Sequence, residues 1–236
     1  MKTLEYLISL SLIVLMTSAL NAQQVTISTD SAKIDFRPTA VRIGTDVLSI
    51  VQNFTKDDFT EFNVSVDVDL YRYFFNIEYG QLEQGFMSDR DNAMYTVDGS
   101  YWRFGPEINF LKKDPEQNAL FFGFRYAFSN FSDELDFNID NGFFGSADQR
   151  LENDNLRASW FEMVSGLKVK IWKNIWFGYT ARFKFGVTGF EENELIPHLI
   201  PGFGRAEETV AWDFNYWIAY RIPIGKEKKP LIKITK

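Results

Sequence analysis

Apolar and polar residues alternate with a period of two along most of the chain. From Phe62 to Leu70, Phe62, Val64, Val66, Val68 and Leu70 form one set, and Asn63, Ser65, Asp67 and Asp69 the other. Successive side chains of a strand point to opposite sides, so this pattern predicts a sheet with one apolar and one polar face. Similar patterning predicts eight strands, at 41–51, 62–70, 73–81, 100–110, 120–129, 158–171, 175–187 and 212–224. Their connections are alternately long and short. Residues 71–72, 112–118 and 172–174 are short links, whereas 53–61, 82–99, 130–157 and 188–211 are long. Membrane barrels have short turns at the periplasmic end and longer loops outside, and an even strand number puts both termini with the short turns. The predicted fold is therefore all-β, an eight-stranded antiparallel up-and-down transmembrane β-barrel over residues 40–224, with both termini periplasmic.

Alternation alone leaves open which face points inward, and a secreted lipocalin-like barrel carrying an apolar ligand is the structural rival. The apolar rows, such as Leu120, Phe122, Phe124, Tyr126 and Phe128, are too bulky for a narrow lumen. Trp102, Tyr126, Trp212 and Tyr220 stand toward the ends of predicted segments, as an aromatic girdle at the headgroups would. Glycines interrupt the polar face at Gly80, Gly105, Gly123, Gly166, Gly178 and Gly186, and so leave room for long side chains in an eight-stranded interior. These features place the apolar face in lipid. Pro106 cannot donate to a ladder, which predicts a bulge or local break in the fourth strand.

Residues 1–22 have the form of a secretory signal: Lys2, an apolar stretch from Leu7 to Met16, and Ala-Leu-Asn-Ala ending at Ala22. That stretch is too short to span a bilayer as a helix. Cleavage near Ala22 leaves a periplasmic lead over 23–39, the barrel, and a basic tail over 225–236 that contains Lys226, Lys228 and Lys229. The absence of cysteine excludes disulfides, thiolate metal sites and a lipid-modified N-terminal cysteine. A net charge of −7 argues against nucleic acid as a partner. The tail could rest on anionic headgroups or meet an acidic partner.

If the polar face lines the lumen, Asp67, Asp69, Glu78, Glu107, Glu162 and Asp213 share it with Arg103, Arg125, Lys168, Lys170, Arg182 and Arg221. Buried charges persist when paired, so a mixed network that fills the barrel is expected; a narrow channel or small-solute transporter is the alternative. The single histidine, His198, stands between Pro197 and Pro201 with no serine two residues on, which gives no base for hydrolysis of lipids. The run from Asp136 through Asn138 and Asp140 has oxygen ligands at alternate positions, but its glycine is one place late and Ala147 stands where a bidentate glutamate belongs. No cofactor, metal or catalytic site is expected. Phe143 and Phe144, at the tip of the third long loop, are candidate partner contacts together with the tail lysines.

The topology resembles the small outer-membrane barrels of the OmpA and OmpX type. More specifically, Phe36-Arg-Pro-Thr-Ala-Val-Arg-Ile-Gly-Thr-Asp46, Gly123-Phe-Arg-Tyr-Ala-Phe-Ser129 and Tyr220-Arg-Ile-Pro-Ile224 are similar to a Bacteroidota family of outer-membrane barrels without assigned function. The chain departs from the usual barrel pattern by continuing past its last strand rather than ending on an aromatic residue. The expected role is non-enzymatic: a structural or interaction protein that contacts outer-membrane lipid and other envelope proteins, as an accessory subunit of barrel-assembly or secretion machinery.

Overall fold

The computed structural model describes residues 36–70, 72–88, 93–111, 114, 116–140, 146–189 and 195–224. The predicted signal, most of the predicted lead, Phe143, Phe144 and the tail lysines lie outside the described residues. Eight strands close a barrel: β1 (Ala40–Asp46), β2 (Phe59–Leu70), β3 (Tyr73–Ser88), β4 (Ala93–Asn109), β5 (Ala119–Asp140), β6 (Ser146–Trp172), β7 (Ile175–Thr188) and β10 (Val210–Pro223). Each pairs antiparallel with its sequence neighbours, and β1 closes on β10 from Ala40 opposite Pro223 to Asp46 opposite Trp217. Two very short strands, β8 (Leu199–Ile200) and β9 (Gly204–Arg205), form a separate hairpin in the connection before β10. Both ends of the barrel sheet, Ala40 and Pro223, lie at the end that carries the short turns.

The outer wall is apolar and bare. Phe124, Phe161, Leu167, Phe214 and Ile218 are exposed on it, whereas the alternate positions Arg125, Glu162, Lys168, Arg182 and Asn215 are buried inside. Among the described residues the interior is filled by paired charge and, nearer the mouth, by packed apolar side chains, which argues against a lipocalin-like carrier, and the apolar outer belt belongs in lipid. Glycine does make room in the lumen, and partly for aromatic rings. A Cβ on Gly80 would lie 2.1 Å from the Tyr101 ring and one on Gly178 would lie 2.0 Å from the Trp217 indole.

Strand lengths depart most from the sequence expectation. The predicted first strand, 41–51, stops at Asp46, and the chain turns into helix α1 (Val47–Thr55). The Asp46 carboxylate caps it by accepting from the Leu48 amide at 2.8 Å. Val47, Ile50, Val51 and Phe54 recur at the three- and four-residue spacing of a helix, a period that competes with alternation over so short a run. Conversely, two predicted long loops are largely strand. A tilted strand crosses a bilayer in about 9–11 residues, yet β5 has 22 and β6 has 27. Together with the ends of β3 and β4 they continue as a sheet beyond the barrel mouth. β6 accommodates an extra residue between the pairs Phe131–Leu156 and Asp133–Asn153, where Asn155 takes φ +58°.

Pro106 produces no bulge. β4 runs through it in unbroken register with β3, and the ladder to β5 passes from Phe104–Tyr126 to Glu107–Gly123 without a shift, with no pairing at Gly105 and Pro106. The missing proline donor is accommodated as a gap in one ladder.

Candidate functional site: the filled lumen

The inward positions near the turn end hold a connected set of buried ions. Arg42 meets Asp69 at 2.7 Å and Arg221 reaches the same carboxylate at 3.3 Å. The Arg42 guanidinium also lies 4.6 Å from the Trp176 ring centre and 4.9 Å from that of Phe74. One level up, the Lys168 ammonium bridges Asp67 and Glu107, each at 2.7 Å, while Arg125 donates to Glu107 at 2.5 Å. At mid-height Glu78 is the hub. It accepts from Arg103, from Arg125 at 3.2 Å, from Arg182 at 2.7 Å and from the Asn63 amide at 2.6 Å. Arg103 turns its other side to Glu162 at 3.0 Å, and the Trp160 indole N–H donates to the same carboxylate at 2.8 Å.

These contacts join strands far apart in sequence, Lys168 with Asp67 and Arg182 with Glu78, so the network ties opposite walls together. Removing one charge would leave its partners buried with less compensation, most of all at the shared carboxylates Glu78 and Asp69. A residual cavity of about 20 Å³ lies among Asn76, Glu78, Arg125, Arg182 and Asn215, room for about one water molecule.

Above the ions the filling changes character. Tyr95, Val97, Tyr101, Ala127, Phe131, Leu156 and Trp160 form an apolar cluster inside the mouth. The connection between β7 and β10 folds down into it: Ile200 and Phe203 are fully buried, and the Phe203 ring meets Trp160 edge-on at 5.5 Å. Gly202 and Gly204 adopt φ +83° and +122°, which lets the chain reverse on either side of Phe203. The lumen cations hold this plug by its backbone. Arg103 donates to the Gly202 carbonyl at 2.7 Å; Lys184 donates to Gly202 at 2.8 Å and to Phe203 at 3.0 Å. Asp213 meets Lys184 at 3.1 Å and Arg182 at 3.3 Å. Beside the plug, under α1, a cavity of about 300 Å³ is lined by Asp46, Ser49, Gln52, Glu61, Lys184 and Asp213, among others.

Of the residues singled out from sequence, Asp67, Asp69, Glu78, Arg103, Glu107, Arg125, Glu162, Lys168, Arg182, Asp213 and Arg221 are brought together in this network. Lys170 is not. It shares the parity of Lys168 but lies at the exposed rim of the turn end, next to an irregularity between Lys170 and Trp172, and meets Glu116 at 3.7 Å. Arg42, Lys184, Asn63 and Tyr101 are absent from the predicted network. Alternation with the outward Val41 and Ile43 marks Arg42 as inward. Trp102, Tyr126, Trp212 and Tyr220 all face outward, but Trp102 and Tyr126 lie within longer strands than predicted. Asp136 and Asn138 form cross-strand pairs with Arg150 and Asp148, both at 2.7 Å. Among the described residues no group of three acidic or histidine side chains is placed to hold a metal. His198 is exposed, edge-on to Tyr95 and Phe86.

The family model DUF6048, described as a domain of unknown function, matches residues 3–227. The chain belongs to this family. No curated protein matches the sequence. Solved barrels show a distant likeness. Ail, the attachment invasion locus protein of Yersinia pestis, in complex with the heparin analogue sucrose octasulfate, aligns at 9% identity and a TM-score of 0.36, covering 78% of this chain and 97% of Ail. CarO of Acinetobacter baumannii aligns at 10% identity and a TM-score of 0.38, covering 81% of this chain and 100% of CarO.

Proposed function

We propose that this protein is a non-enzymatic barrel of the bacterial outer membrane whose work is done outside its lumen, as an interaction subunit of a larger envelope complex such as the barrel-assembly or secretion machinery. The observation that carries the reading is the contrast between a blocked interior and an overbuilt rim. Ions and a folded-in plug occupy the bore, while β5 and β6 run far past the length a bilayer requires. A stiff sheet outside the membrane positions side chains better than a mobile loop does, and its end strand is suited to pairing with another chain. The short-turn end, with both chain ends, faces the periplasm in this reading. Trp212 and Tyr220 on β10 are separated by roughly 20 Å along the barrel axis, at about 3.3 Å per residue and a tilt near 40°, and so bracket the lipid band.

The test is affinity purification from native outer membrane in mild detergent, with mass spectrometry. A shared partner should accompany the full chain and be lost when the β5–β6 hairpin is cut back to the barrel rim. A monodisperse monomer without companions would overturn the subunit reading. Stable, stoichiometric conductance in planar bilayers would overturn the blocked lumen.

A further inference from the structure

Helix α1 occupies a place in the barrel wall where a strand is missing. β1 pairs with β2 only as far as Gly44 opposite Ser65, and with β10 only as far as Asp46 opposite Trp217. Beyond those points β2 continues to Phe59 and β10 to Val210, with no strand between them among the described residues. The helix packs into this seam, and Asn53 does for β2 what a strand residue would. Its amide donates to the Glu61 carbonyl at 2.8 Å and its side-chain oxygen accepts from the Glu61 amide at 2.8 Å. The Ser49 hydroxyl donates to the Glu61 carboxylate at 2.7 Å. Ser49 and Gln52 line the polar cavity behind the helix.

The helix is thus mounted with its polar side toward the protein and its apolar side out. Ile50 and Val51 are 43% and 49% exposed, and Phe54 is 87% exposed. A soluble rim helix would turn the other way. This outward face continues the lipid-facing wall on both sides, through Phe62 of β2 and Trp212 and Phe214 of β10, all exposed. A helix suits the position because it satisfies its own backbone, which a lone strand end in hydrocarbon cannot do.

We infer that α1 is a membrane-embedded wall segment, with Ile50, Val51 and Phe54 in the acyl and glycerol region of the leaflet at the loop end, and with the polar cavity behind it kept apart from lipid. The inference rests on the membrane-spanning reading of the barrel. It assigns one occupant to the face: lipid, through the same apolar contact that covers the rest of the wall.

The cysteine-free chain permits a direct test. Single variants Ile50→Cys, Phe54→Cys, Ile218→Cys and Lys56→Cys are spin-labelled and reconstituted in phosphatidylcholine vesicles. Collision rates with oxygen, which partitions into lipid, are compared with those for a water-soluble nickel chelate. The ratio of oxygen to chelate at positions 50 and 54 is expected to match that at wall position 218 and to exceed that at position 56. Ratios at 50 and 54 equal to that at 56, with 218 still in lipid, overturn the inference and leave the barrel reading standing. A water-like ratio at 218 as well overturns the membrane reading itself. Low access to both probes at 54, with dipolar broadening between labels, would show a second copy on the face and also overturn it.

Discussion

In the lower half of the lumen Glu78, Glu107, Asp67 and Lys168 fill the space with paired charge, whereas in the mouth Tyr101, Trp160, Phe203 and Ile200 fill it with apolar side chains. The lower filling comes entirely from the barrel strands, so its register is set once the barrel closes. The upper filling includes a segment from outside the wall, Ile200 and Phe203 packing among inward side chains of β4, β5 and β6. Charge holds opposite walls together directly, whereas the apolar storey is packed around the plug. Arg103 and Lys184 belong to both, with ion partners below and plug carbonyls above.

The largest expected effect of breaking this comparison is at Glu78. Glu78→Leu leaves the charges of Arg103, Arg125 and Arg182 less compensated in the bore, and should cost about 4–5 kcal/mol. Urea titration of the refolded barrel in vesicles, followed by heat-modified gel mobility, measures it. A loss below about 1 kcal/mol would mean that solvent, rather than Glu78, balances the arginines. Phe203→Ala removes a ring packed on Trp160 and should cost about 3 kcal/mol by the same assay. The variant should still give no conductance in planar bilayers, because the ionic storey remains; an open current would show that the plug alone closes the barrel.

Gly178→Ala drives a methyl group into the Trp217 indole and should cost about 2 kcal/mol, with a shifted near-ultraviolet circular dichroism signal. Smallest is Arg150→Ala, on the exposed hairpin beyond the mouth, where global stability should not change measurably. Its local effect is readable. The hydrogen bond from Arg150 holds Asp136 below its ordinary value of 3.8. A lowered carboxylate contributes its stability above the unfolded value and loses it as pH falls through the folded one. The Arg150→Ala variant should therefore move the Asp136 carboxyl titration upward in carbon-detected NMR, and an unmoved curve would remove the pair from the account.

Strand after strand, the inward parity of the charged residues was legible because a period of two has one geometric meaning once a sheet closes. Val41 to Val51 was not legible as strand followed by helix. The apolar spacing there satisfies both periods, and the decision lay with the Asp46 cap and the seam between β2 and β10. The overlong β5 and β6 were hidden for another reason. Glu134 to Ile139 does alternate, with Leu135, Phe137 and Ile139 set against Glu134, Asp136 and Asn138, but the run is short and dense in turn-forming Asp and Asn, and only cross-strand pairs such as Asp136 with Arg150 hold it extended. Nothing local distinguishes the plug from a surface loop; Ile200 and Phe203 become core residues only because Trp160 and Tyr101 await them.

By itself, then, the sequence determined the barrel, its strand number, the face turned to lipid and most of the ions inside, because each follows from periodicity and from the cost of burying unpaired charge. Tertiary structure alone decided which ions meet, that Lys170 stays at the rim, that a helix completes the wall and that a loop closes the mouth. Those outcomes depend on side chains from distant strands arriving at one height, and only closure of the barrel sets that height.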